Sequence, residues 1–336
     1  MKTNEAILVT GAAGFIGAAL IEKFLKNGTN IIGIDNLNSY YSPSLKLSRL
    51  ERLKKISKNN SGNFLFKKIS IEDKENINFL FENYQFKTVV HLAAQAGVRY
   101  SLDNPNAYFQ TNLLGFGNIL EAVRNNPVSN FIFASSSSVY GANSELPYAE
   151  DQKVDHPLSL YAATKKSNEL MAHAYSHLYG IPTIGLRFFT VYGPWGRPDM
   201  APMIFTKAIT EKTKIKIFNH GEMKRDFTYI DDITDGIFKC CYKPATIENE
   251  SSSSAPYRIF NIGNNSPIKL MQFIEILEKK LSLQADKVFL DMQKGDVKET
   301  WADINSLQKW VDYSPSTSIE EGIEKFIEWY IKYYKI

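Results

Sequence analysis

The sequence has few cysteines, no long apolar run and no large excess of charge of one sign. Its two cysteines, Cys240 and Cys241, are adjacent, which suits neither a disulfide framework nor a metal-binding knuckle. We expect both to be reduced, buried helix residues of a protein in a reducing compartment. No apolar run approaches the roughly 20 residues that cross a bilayer. Residues 7–10 are too few for the apolar core of a signal peptide, so we expect a soluble cytoplasmic protein.

The charge pattern predicts neither a nucleic-acid partner nor a metal site. The formal net charge is +3, and the charged residues, 22% of the chain, mix both signs, so there is no basic footprint. His173 and His177 are four residues apart and could form one edge of a metal site, but no Glu or third ligand accompanies them. A solvated or dimer-facing helix surface is the preferred interpretation of this pair.

The amino-terminal segment has the order strand, glycine turn and helix. Residues 6–10 form a short, continuous apolar run, which is typical of a strand buried on both faces of a parallel sheet. In the turn, Gly11 permits the tight bend, Gly14 lets the backbone approach a pyrophosphate, and Gly17 lets helix and strand pack closely. The N-terminus of the helix that continues through residues 18–27 then offers N–H groups to the phosphates. The segment predicts a dinucleotide-binding turn.

A second apolar strand, residues 30–34, ends in Asp35. An acidic residue about 20 residues after the glycines binds the ribose hydroxyls of NAD and repels the 2′-phosphate of NADP. A surface aspartate beside an ordinary turn is the alternative, but the flanking strands favour the cofactor site. We therefore predict NAD.

The rest of the chain alternates between strand and helix patterns. With 336 residues, it is long enough for one large α/β domain with a lobe or for two domains. Further strands are predicted at 64–71, 88–94, 130–134 and 183–188, helices at 74–84, 106–125 and 319–334, an insertion at 36–63, and a mobile loop at 248–254. This alternation predicts a Rossmann-like, doubly wound parallel sheet, followed by a smaller C-terminal α/β lobe.

Residues 159–166 place a tyrosine and a lysine on one helix face. Tyr161 and Lys165 are one turn apart, so the ammonium can lie beneath the phenol. A free tyrosine has a pKa of about 10, and a nearby cation favours the phenolate, which makes the group an acid and base near neutral pH. The serines at 135–138 follow an apolar strand, at the end where open α/β sheets bind ligands. The plainer alternative is a half-buried tyrosine beside a solvated lysine.

Together these motifs resemble the extended short-chain dehydrogenase/reductase family over essentially the whole chain, and within it the UDP-sugar 4-epimerases. The matching segments are 10–17, 35–41, 91–94, 135–141 and 161–165. The run LRFFTVYGPWGRPDM at 186–200 is longer and more specific, and it resembles the UDP-glucuronate 4-epimerases of bacterial polysaccharide synthesis.

The resemblance implies that UDP-glucuronate is converted into UDP-galacturonate through a 4-keto intermediate, with tightly held NAD taking and returning a hydride. In that reaction Tyr161, as phenolate, removes the proton of the sugar 4-hydroxyl. Lys165 lowers the pKa of the tyrosine and binds the nicotinamide ribose. Ser136 is the best match for the hydroxyl that binds the reacting oxygen, although Ser137 and Ser138 are close enough to dispute it.

The resemblance also implies the cofactor contacts. They are Gly11, Gly14, Phe15, Ile16, Gly17, Asp35, Asn36, Ser70, Ile71, Leu92, Ala93, Ala94, Asn112, Tyr161 and Lys165. The chain departs from the family at Ser70, where relatives often have an aspartate that contacts adenine.

A glucuronate substrate adds a requirement, because its 4-keto form is a β-keto acid that can lose carbon dioxide. The polar candidates for the substrate site are Ser137, Ser138, Thr190, Arg197, Arg225 and Asp296. Hydroxyl and N–H groups would hold the carboxylate without aligning its C–C bond for cleavage. Arg197 would contact the carboxylate or the diphosphate, unless it is a surface cation. Arg225 resembles the family's diphosphate-binding arginine, and Asp296 resembles a contact to the nucleotide ribose.

Four alternatives to this function can be weighed. Decarboxylases and 4,6-dehydratases of the family have an acid before Val-Tyr-Gly, where this chain has only serines, at 135–138. A UDP-glucose or UDP-N-acetylglucosamine 4-epimerase remains the main alternative. A non-catalytic NAD-binding regulator on this fold would typically lack Tyr161 or Lys165.

The resemblance finally implies a division of the chain and a homodimer. Residues 1–185 plus 226–265 would form the NAD-binding Rossmann domain, and 186–225 plus 266–336 the UDP-sugar-binding lobe. Relatives commonly pair through the helices that contain Asn112 and Tyr161. No metal, nucleic acid or membrane partner is expected.

Overall fold

The computed structural model describes residues 6–247, 254–293 and 295–336, so the predicted loop at 248–254 lies outside the described residues except for its last residue. The strands are β1 (Ala6–Thr10), β2 (Ile31–Asp35), β3 (Phe64–Lys68), β4 (Phe86–His91), β5 (Asn130–Ser136), β6 (Thr183–Phe188), β7 (Thr190–Tyr192), β8 (Lys214–Ile217), β9 (Lys224–Tyr229), β10 (Tyr257–Ile262), β11 (Pro267–Lys269) and β12 (Asp286–Phe289). The α-helices are α1 (Phe15–Lys26), α2 (Pro43–Lys58), α3 (Lys74–Asn83), α4 (Tyr100–Asp103), α5 (Pro105–Tyr108), α6 (Phe116–Asn125), α7 (Leu160–Tyr179), α8 (Ala201–Thr210), α9 (Ile230–Cys241), α10 (Leu270–Leu281), α11 (Asn305–Val311) and α12 (Ile319–Tyr334). A π-helical segment, Phe109–Gly115, joins α5 to α6, and short 3-10 helices lie at Ser137–Tyr140 and Phe218–Gly221.

The chain forms two compact units. The first comprises the described parts of residues 1–143, 153–187 and 234–260, and the second comprises 144–152, 188–233 and the described parts of 261–336. The second unit thus includes three segments, 144–152, 226–233 and 261–265, that the sequence analysis placed in the Rossmann domain, whereas residues 186–187 belong to the first unit. Tyr148 forms a bridge with Ala302, and β9 is the middle strand of the second unit's sheet.

A seven-stranded sheet with the order β10-β6-β5-β4-β1-β2-β3 forms the centre of the first unit. β1 pairs in parallel with β2 and β4, β2 with β3, and β4 with β5. The direction in which strands are added reverses between β1 and β4, and doubly wound sheets bind ligands at such a switch point. The predicted Rossmann-like fold is confirmed.

The short strands of this sheet are apolar because helices cover both faces. Leu8, Val89 and Phe131 are fully buried and pack in one cluster with Ile119 and Val123 of α6. Burying each aliphatic side chain of this kind contributes roughly 1.5–3 kcal/mol. The cluster fixes the helix that follows the π-helical segment against the sheet.

Two predicted strands end three residues earlier than their sequence patterns. β3 stops at residue 68 because the chain then turns, and the Asp73 N–H donates to the Ser70 carbonyl. β4 stops at residue 91 because the N–H groups of Leu92 and Ala93 donate to the side chain of Thr10. Both early ends free backbone at the carboxyl edge of the sheet.

The predicted helix at 106–125 is present but not uniform. Its first half contains the π-helical segment, and π-bulges are frequent at functional sites. Within the segment, the backbone at Gly115 lies so close to Ile71 that a Cβ atom would be 2.7 Å from Ile71 Cγ1. A hydrophobic pattern with helical period cannot reveal such a segment.

The second unit has its own sheets. β9 is parallel to β7 and antiparallel to β11, and β12 pairs in parallel with β8. The fully buried carboxylate of Asp226 accepts hydrogen bonds from the N–H groups of Asn264, Asn265 and Ala302, which ties β9 to two other segments. The predicted smaller α/β lobe is confirmed. Among the described residues, no helix has both the length and the apolar character of a membrane span.

Candidate active site

The glycine turn between β1 and α1 has no room for side chains. A Cβ atom on Gly17 would lie 2.2 Å from the carbonyl oxygen of Gly11, and one on Gly14 would lie 2.9 Å from the same atom. Gly11 has a φ of +71°, which other residues rarely adopt. Gly14 gives no side-chain cap to the start of α1, where Phe15 and Ile16 present their N–H groups. The turn fits the close approach of a pyrophosphate to a helix N-terminus.

Asp35, at the end of β2, is bound to this turn. Its Oδ2 accepts a hydrogen bond from the Ala13 N–H at 3.1 Å, and its Oδ1 accepts one from the Leu37 N–H at 2.8 Å. Each carboxylate oxygen has a second acceptor position, which suits the two hydroxyls of a ribose. The neighbouring Asn36 donates from Nδ2 to Ser70 Oγ at 3.2 Å. Asn36 and Ser70, two of the predicted cofactor contacts, are therefore hydrogen-bonded to each other.

Ser70 and Ile71 lie beside a carboxylate that the sequence analysis missed. Ser70 Oγ donates to Glu72, whose other oxygen accepts from Thr111 Oγ1 at 2.5 Å. Ile71 is buried, and its carbonyl accepts from Asn118 Nδ2 at 2.9 Å. Glu72 thus places an acid two residues from the position where relatives often have an aspartate. The signal was in the sequence, as an acid directly after the predicted strand.

Helix α2, from the predicted insertion, carries two buried cations, one of which supports the glycine turn. Arg49 is 1% exposed, and its Nη1 donates to the Ala13 carbonyl at 2.9 Å and to the Tyr41 hydroxyl at 2.7 Å. Lys46 Nζ donates to the Asn38 carbonyl at 2.8 Å. The sequence analysis missed both residues, because a basic helix usually presents its charges to solvent.

Thr10 joins the carboxyl ends of β1 and β4. Its Oγ1 accepts hydrogen bonds from the N–H groups of Leu92 and Ala93 at 3.1 and 3.0 Å and lies 2.9 Å from His91 Nδ1. Because both acceptor positions are used, the threonine proton is donated to Nδ1, and the histidine carries its own proton on Nε2. Burial first, and the charge of Lys165 second, lower the pKa of His91 to about 3. The ring is therefore neutral at pH 7.

Helix α7 carries Tyr161 and Lys165 and has defined ends. It begins after Ser159, whose side chain accepts from the Ala162 N–H, and it ends at Gly180, which has a left-handed conformation. Tyr161 is half-buried, whereas Lys165 is 2% exposed. Burial lowers the pKa of Lys165 to about 8, against the opposing charge of an acid farther along the helix. The ammonium form still predominates at pH 7.

Asn112 uses its amide within the protein. Its Oδ1 accepts from the Gln95 N–H at 2.8 Å, and its Nδ2 donates to the Gln95 carbonyl at 3.0 Å and to Thr164 Oγ1 at 3.1 Å. Asn168 Nδ2 donates to the Asn112 carbonyl at 2.6 Å. These bonds hold the π-helical segment against α7 next to Lys165. One lone pair of Oδ1 is left for the predicted contact with a cofactor.

The serines at 135–138 bond through their hydroxyl groups to different partners. Ser136 Oγ accepts from the N–H of Ser138 at 3.2 Å and from its hydroxyl at 2.9 Å, so the Ser136 proton is available to a third partner. Ser135 instead donates to Glu169 Oε1 at 2.7 Å in the protein interior. Ser137 is half-buried. These contacts favour Ser136 over Ser135 as the hydroxyl that binds a reacting oxygen.

Glu169 and Arg187 form an ion pair inside the first unit, next to Ser135. The Nε and Nη2 of Arg187 donate to the two carboxylate oxygens at 2.8 and 2.9 Å, and both side chains are 3% exposed. Arg187 Nη1 donates to the Tyr140 hydroxyl at 3.1 Å. Burial alone would raise the pKa of Glu169, but the hydrogen bonds and charge of Arg187 keep it below its ordinary value. The sequence analysis missed this pair, although an arginine within an apolar strand was a visible signal.

The second unit contains four of the predicted substrate contacts. Thr190 is half-buried at the start of β7 and pairs with Phe227 of β9. Arg197 lies in the loop between β7 and α8, where its Nε donates to Asp199 Oδ1 at 3.1 Å. Both charged groups are partly exposed.

Arg225 ties β9 to a neighbouring segment of the second unit. Its Nη1 donates to the carbonyls of Lys224 and Lys298 at 2.8 and 3.1 Å, and its Nη2 donates to the Val297 carbonyl at 2.7 Å. Asp296 directly precedes that segment. The predicted diphosphate contact of Arg225 therefore comes from a side chain whose guanidinium is already oriented by backbone carbonyls.

The predicted residues fall into two sets. All predicted catalytic and cofactor-binding residues, and Ser137 and Ser138, lie in the first unit, and the other predicted substrate contacts lie in the second. Cys240 and Cys241 are free and buried in the first unit, as predicted. Within the described residues, no group of three or more histidine, cysteine, aspartate or glutamate side chains could hold a metal ion.

Comparisons with known proteins cover nearly the whole chain. The family model described as GDP-mannose 4,6 dehydratase, which is an extended short-chain dehydrogenase/reductase family, matches residues 8–326. Protein CapI of Staphylococcus aureus is 53% identical over 98% of this chain and 99% of its own length. UDP-glucuronate 4-epimerase 4 of Arabidopsis thaliana is 46% identical over 99% of this chain and 77% of the plant protein. The chain belongs to the extended short-chain dehydrogenase/reductase family.

A solved structure of this family agrees in fold. The UDP-glucuronic acid 4-epimerase from Bacillus cereus, in complex with UDP-glucuronic acid and NAD, superposes with a TM-score of 0.87 at 35% identity, over 98% of this chain and 100% of that chain. The crowded glycine turn, the uncapped start of α1 and the acceptor pair on Asp35 fit a dinucleotide of the kind that this family uses. Family membership and local geometry therefore agree on the first unit as a cofactor-binding unit.

Proposed function

We propose that this protein is an NAD-dependent UDP-glucuronate 4-epimerase, which interconverts UDP-glucuronate and UDP-galacturonate. The observation that carries the proposal is the arrangement of the first unit. The buried ammonium of Lys165 and the phenol of Tyr161 share one helix with defined ends, and a crowded glycine turn of dinucleotide-binding form lies in the same unit. Relatives with 46% and 35% identity over nearly the whole chain are UDP-glucuronate 4-epimerases, and the second was solved with NAD.

In the proposed reaction, bound NAD would supply a reversible hydride acceptor for C4 of the sugar, so no net oxidation would result. Tyr161 removes the proton of the 4-hydroxyl and gives it back after the ring has turned. The Lys165 ammonium, charged at pH 7, favours the phenolate form of the tyrosine. Ser136 donates its available proton to the sugar oxygen as the carbonyl forms.

A 4-keto glucuronate is a β-keto acid, so the site must hold its carboxylate without promoting decarboxylation. We assign that task to Ser137, Ser138, Thr190 and Arg197. The matched family model bears the description of a dehydratase, but this chain has serines at 135–138 where the family's dehydratases have an acid. The serine run therefore supports epimerisation over dehydration.

The proposal is tested by incubating the purified protein with UDP-glucuronate without added NAD and following the sugar by proton NMR. We expect UDP-galacturonate to accumulate to an equilibrium that is also reached from UDP-galacturonate. Parallel reactions with UDP-glucose and UDP-N-acetylglucosamine separate this function from that of a neutral-sugar epimerase. Bound NAD without turnover of any UDP-sugar would point to a non-catalytic NAD-binding protein instead.

Gly17→Ala should abolish NAD binding. The added methyl group would lie 2.2 Å from the Gly11 carbonyl oxygen, so the turn and the start of α1 must separate. We expect less than about a tenth of the wild-type NAD content, because a shift of about 1 Å is sufficient to misplace bound groups. The content is measured by absorbance of the cofactor released on denaturation.

Gly117→Ala is the matched control for this variant. Its Cβ would lie 3.7 Å from Met171 Cε, which is an ordinary contact, and the residue is inside α6. Alanine in a helix interior is about 0.5–1 kcal/mol more favourable than glycine. We expect normal NAD content and a slightly higher melting temperature. Normal NAD content in Gly17→Ala would contradict the assigned role of the turn.

We further propose a homodimer that acts in the cytoplasm and supplies polysaccharide synthesis. The π-helical segment and α7 expose large apolar side chains, among them Phe109, Leu114, Leu170 and Leu178, at 47–66% of their area. Exposed apolar patches on soluble proteins commonly mark interaction sites. This supports pairing through the helices that contain Asn112 and Tyr161.

Leu170→Lys should produce a monomer. A lysine at this 60% exposed position is tolerated in a free helix surface but places unpaired charge in an apolar interface. Sedimentation velocity is expected to give a dimer for the wild type and a monomer for the variant. Leu65→Lys on β3, at 43% exposure, is the control that should remain a dimer. A monomeric wild type would contradict the proposal.

A further inference from the structure

The loop between β7 and α8 in the second unit contains a strained tryptophan. Trp195 has a φ of +65°, the left-handed conformation that bulky residues rarely adopt. Such a conformation is unfavourable for a bulky residue and persists only where the surroundings of the residue determine it. Two residues later the loop carries Arg197, ion-paired with Asp199. The strain therefore lies next to the side chain that the proposed function assigns to the sugar carboxylate.

The C-terminal helix α12 provides contacts that determine the conformation of Trp195. The ring of Trp195 lies 5.4 Å from the ring of Trp329 and 5.1 Å from the ring of Tyr333, with interplanar angles of 46° and 67°. Trp329 and Tyr333 also stack on each other at 5.4 Å. Aromatic contacts of this kind contribute beyond their buried area and have a preferred geometry. Two rings of α12 thus determine the position of the strained residue.

Helix α12 also contacts the other end of this loop. The Tyr192 hydroxyl donates to the Ser318 carbonyl, just before α12, at 3.4 Å. It also lies against Gly322, where a Cβ atom would be 2.0 Å from the Tyr192 oxygen. Only glycine permits this approach. The helix therefore contacts the loop at residue 192 and again at residue 195.

The indole N–H of Trp329 is a buried hydrogen-bond donor. Its Nε1 is buried and has no hydrogen-bond partner among the described residues. Leaving a buried donor unpaired costs free energy that an apolar side chain would avoid. A role in filling space alone therefore favours an aliphatic side chain such as leucine here. The large ring itself is the property that explains a tryptophan at this position.

We propose that Trp329 and Tyr333 are positioning residues for substrate binding, which hold the Trp195 loop so that Arg197 is presented to the carboxylate of the UDP-sugar. The proposal rests on the proposed function for its choice of substrate. It assigns the C-terminal helix, otherwise an ordinary amphipathic element, an indirect part in selecting acid sugars over neutral ones, through the position of Arg197.

The test compares Trp329→Leu and Tyr333→Leu with two further variants. Trp329→Phe keeps a ring, and Ile331→Ala, the control, shortens a 39% exposed side chain of the same helix. The kcat and KM are measured for UDP-glucuronate and UDP-glucose, together with NAD content and melting temperature. We expect Trp329→Leu to raise the KM for UDP-glucuronate about tenfold, the scale of one weakened charge-assisted bond. The KM for UDP-glucose should rise less, and kcat and NAD content should stay within about threefold of wild type.

Trp329→Phe should restore most of the affinity, and Ile331→Ala should behave as wild type. Gly322→Ala displaces the loop from its other end and should reproduce the higher KM for UDP-glucuronate. If Trp329→Leu does not fold, the KM of Gly322→Ala tests the proposal instead. A lower melting temperature with unchanged KM in Trp329→Leu would overturn the proposal, as would an equal KM increase in Ile331→Ala. A wild type that converts only neutral UDP-sugars would refute the proposed substrate. The KM of Trp329→Leu for the neutral sugar would then test separately whether α12 positions the Trp195 loop.

Discussion

Tyr161→Phe is expected to lower kcat for UDP-glucuronate about 1,000-fold, within the range that general acid–base groups contribute. The change removes one oxygen from a half-buried ring and leaves the ring's edge-to-face contact with Tyr108, at 6.1 Å between centroids, in place. Lys165 and the glycine turn are untouched. The variant should therefore keep its NAD content and bind UDP-glucuronate with nearly wild-type affinity, as measured by calorimetry.

Tyr175→Phe is the matched control for this prediction. It removes a hydroxyl from the same helix, one that donates to Glu121 Oε1 at 2.5 Å away from the assigned catalytic residues. We expect its kcat to remain within about twofold of wild type, with a loss of about 1 kcal/mol of stability for the lost hydrogen bond. If Tyr161→Phe keeps more than about a tenth of the turnover, the phenol is not the base.

The features that could be predicted from the sequence are those set by local geometry. The spacing of Gly11, Gly14 and Gly17 after an apolar strand determines a turn, and the separation of Tyr161 and Lys165 determines a shared helix face. In both cases backbone geometry alone fixes the relation between the residues. The strand-helix alternation predicted the Rossmann-like sheet for the same reason.

The features that could not be predicted depend on partners distant in sequence. Asn112 contacts Thr164 across 52 positions, and Arg49 contacts Ala13 across 36. No local periodicity connects such pairs, since tertiary packing brings them together. The resemblance supplied the cofactor role of Asn112, whereas its hydrogen bonds make it first of all a link to α7. The bonds of Arg197 to Asp199 and of Arg225 to the Val297 carbonyl, which spans 72 positions, were likewise not indicated by the sequence.

Substituting Glu169 by Gln is expected to cost about 3–5 kcal/mol of stability, the usual effect of removing one partner from a buried ion pair. The variant leaves the guanidinium of Arg187, which is 3% exposed, without its anion, and takes a charged acceptor from Ser135. The four tryptophans all lie in the second unit, so their fluorescence does not report directly on this site. Urea unfolding followed by far-ultraviolet circular dichroism measures the loss, and hydrogen exchange should localise it to β5, β6 and α7.

The pH dependence of the loss provides a second check. Because the folded protein holds the pKa of Glu169 below its ordinary value of about 4.3, the carboxylate stabilises the fold at higher pH and loses this effect as pH falls through the folded pKa. The difference between wild type and Glu169→Gln should therefore be constant above about pH 5 and shrink below about pH 4. Glu321→Gln is the control, since it breaks the exposed ion pair with Lys325 and should cost less than about 1 kcal/mol. An equally small loss in Glu169→Gln would show that the buried pair does not hold the serine strand against α7.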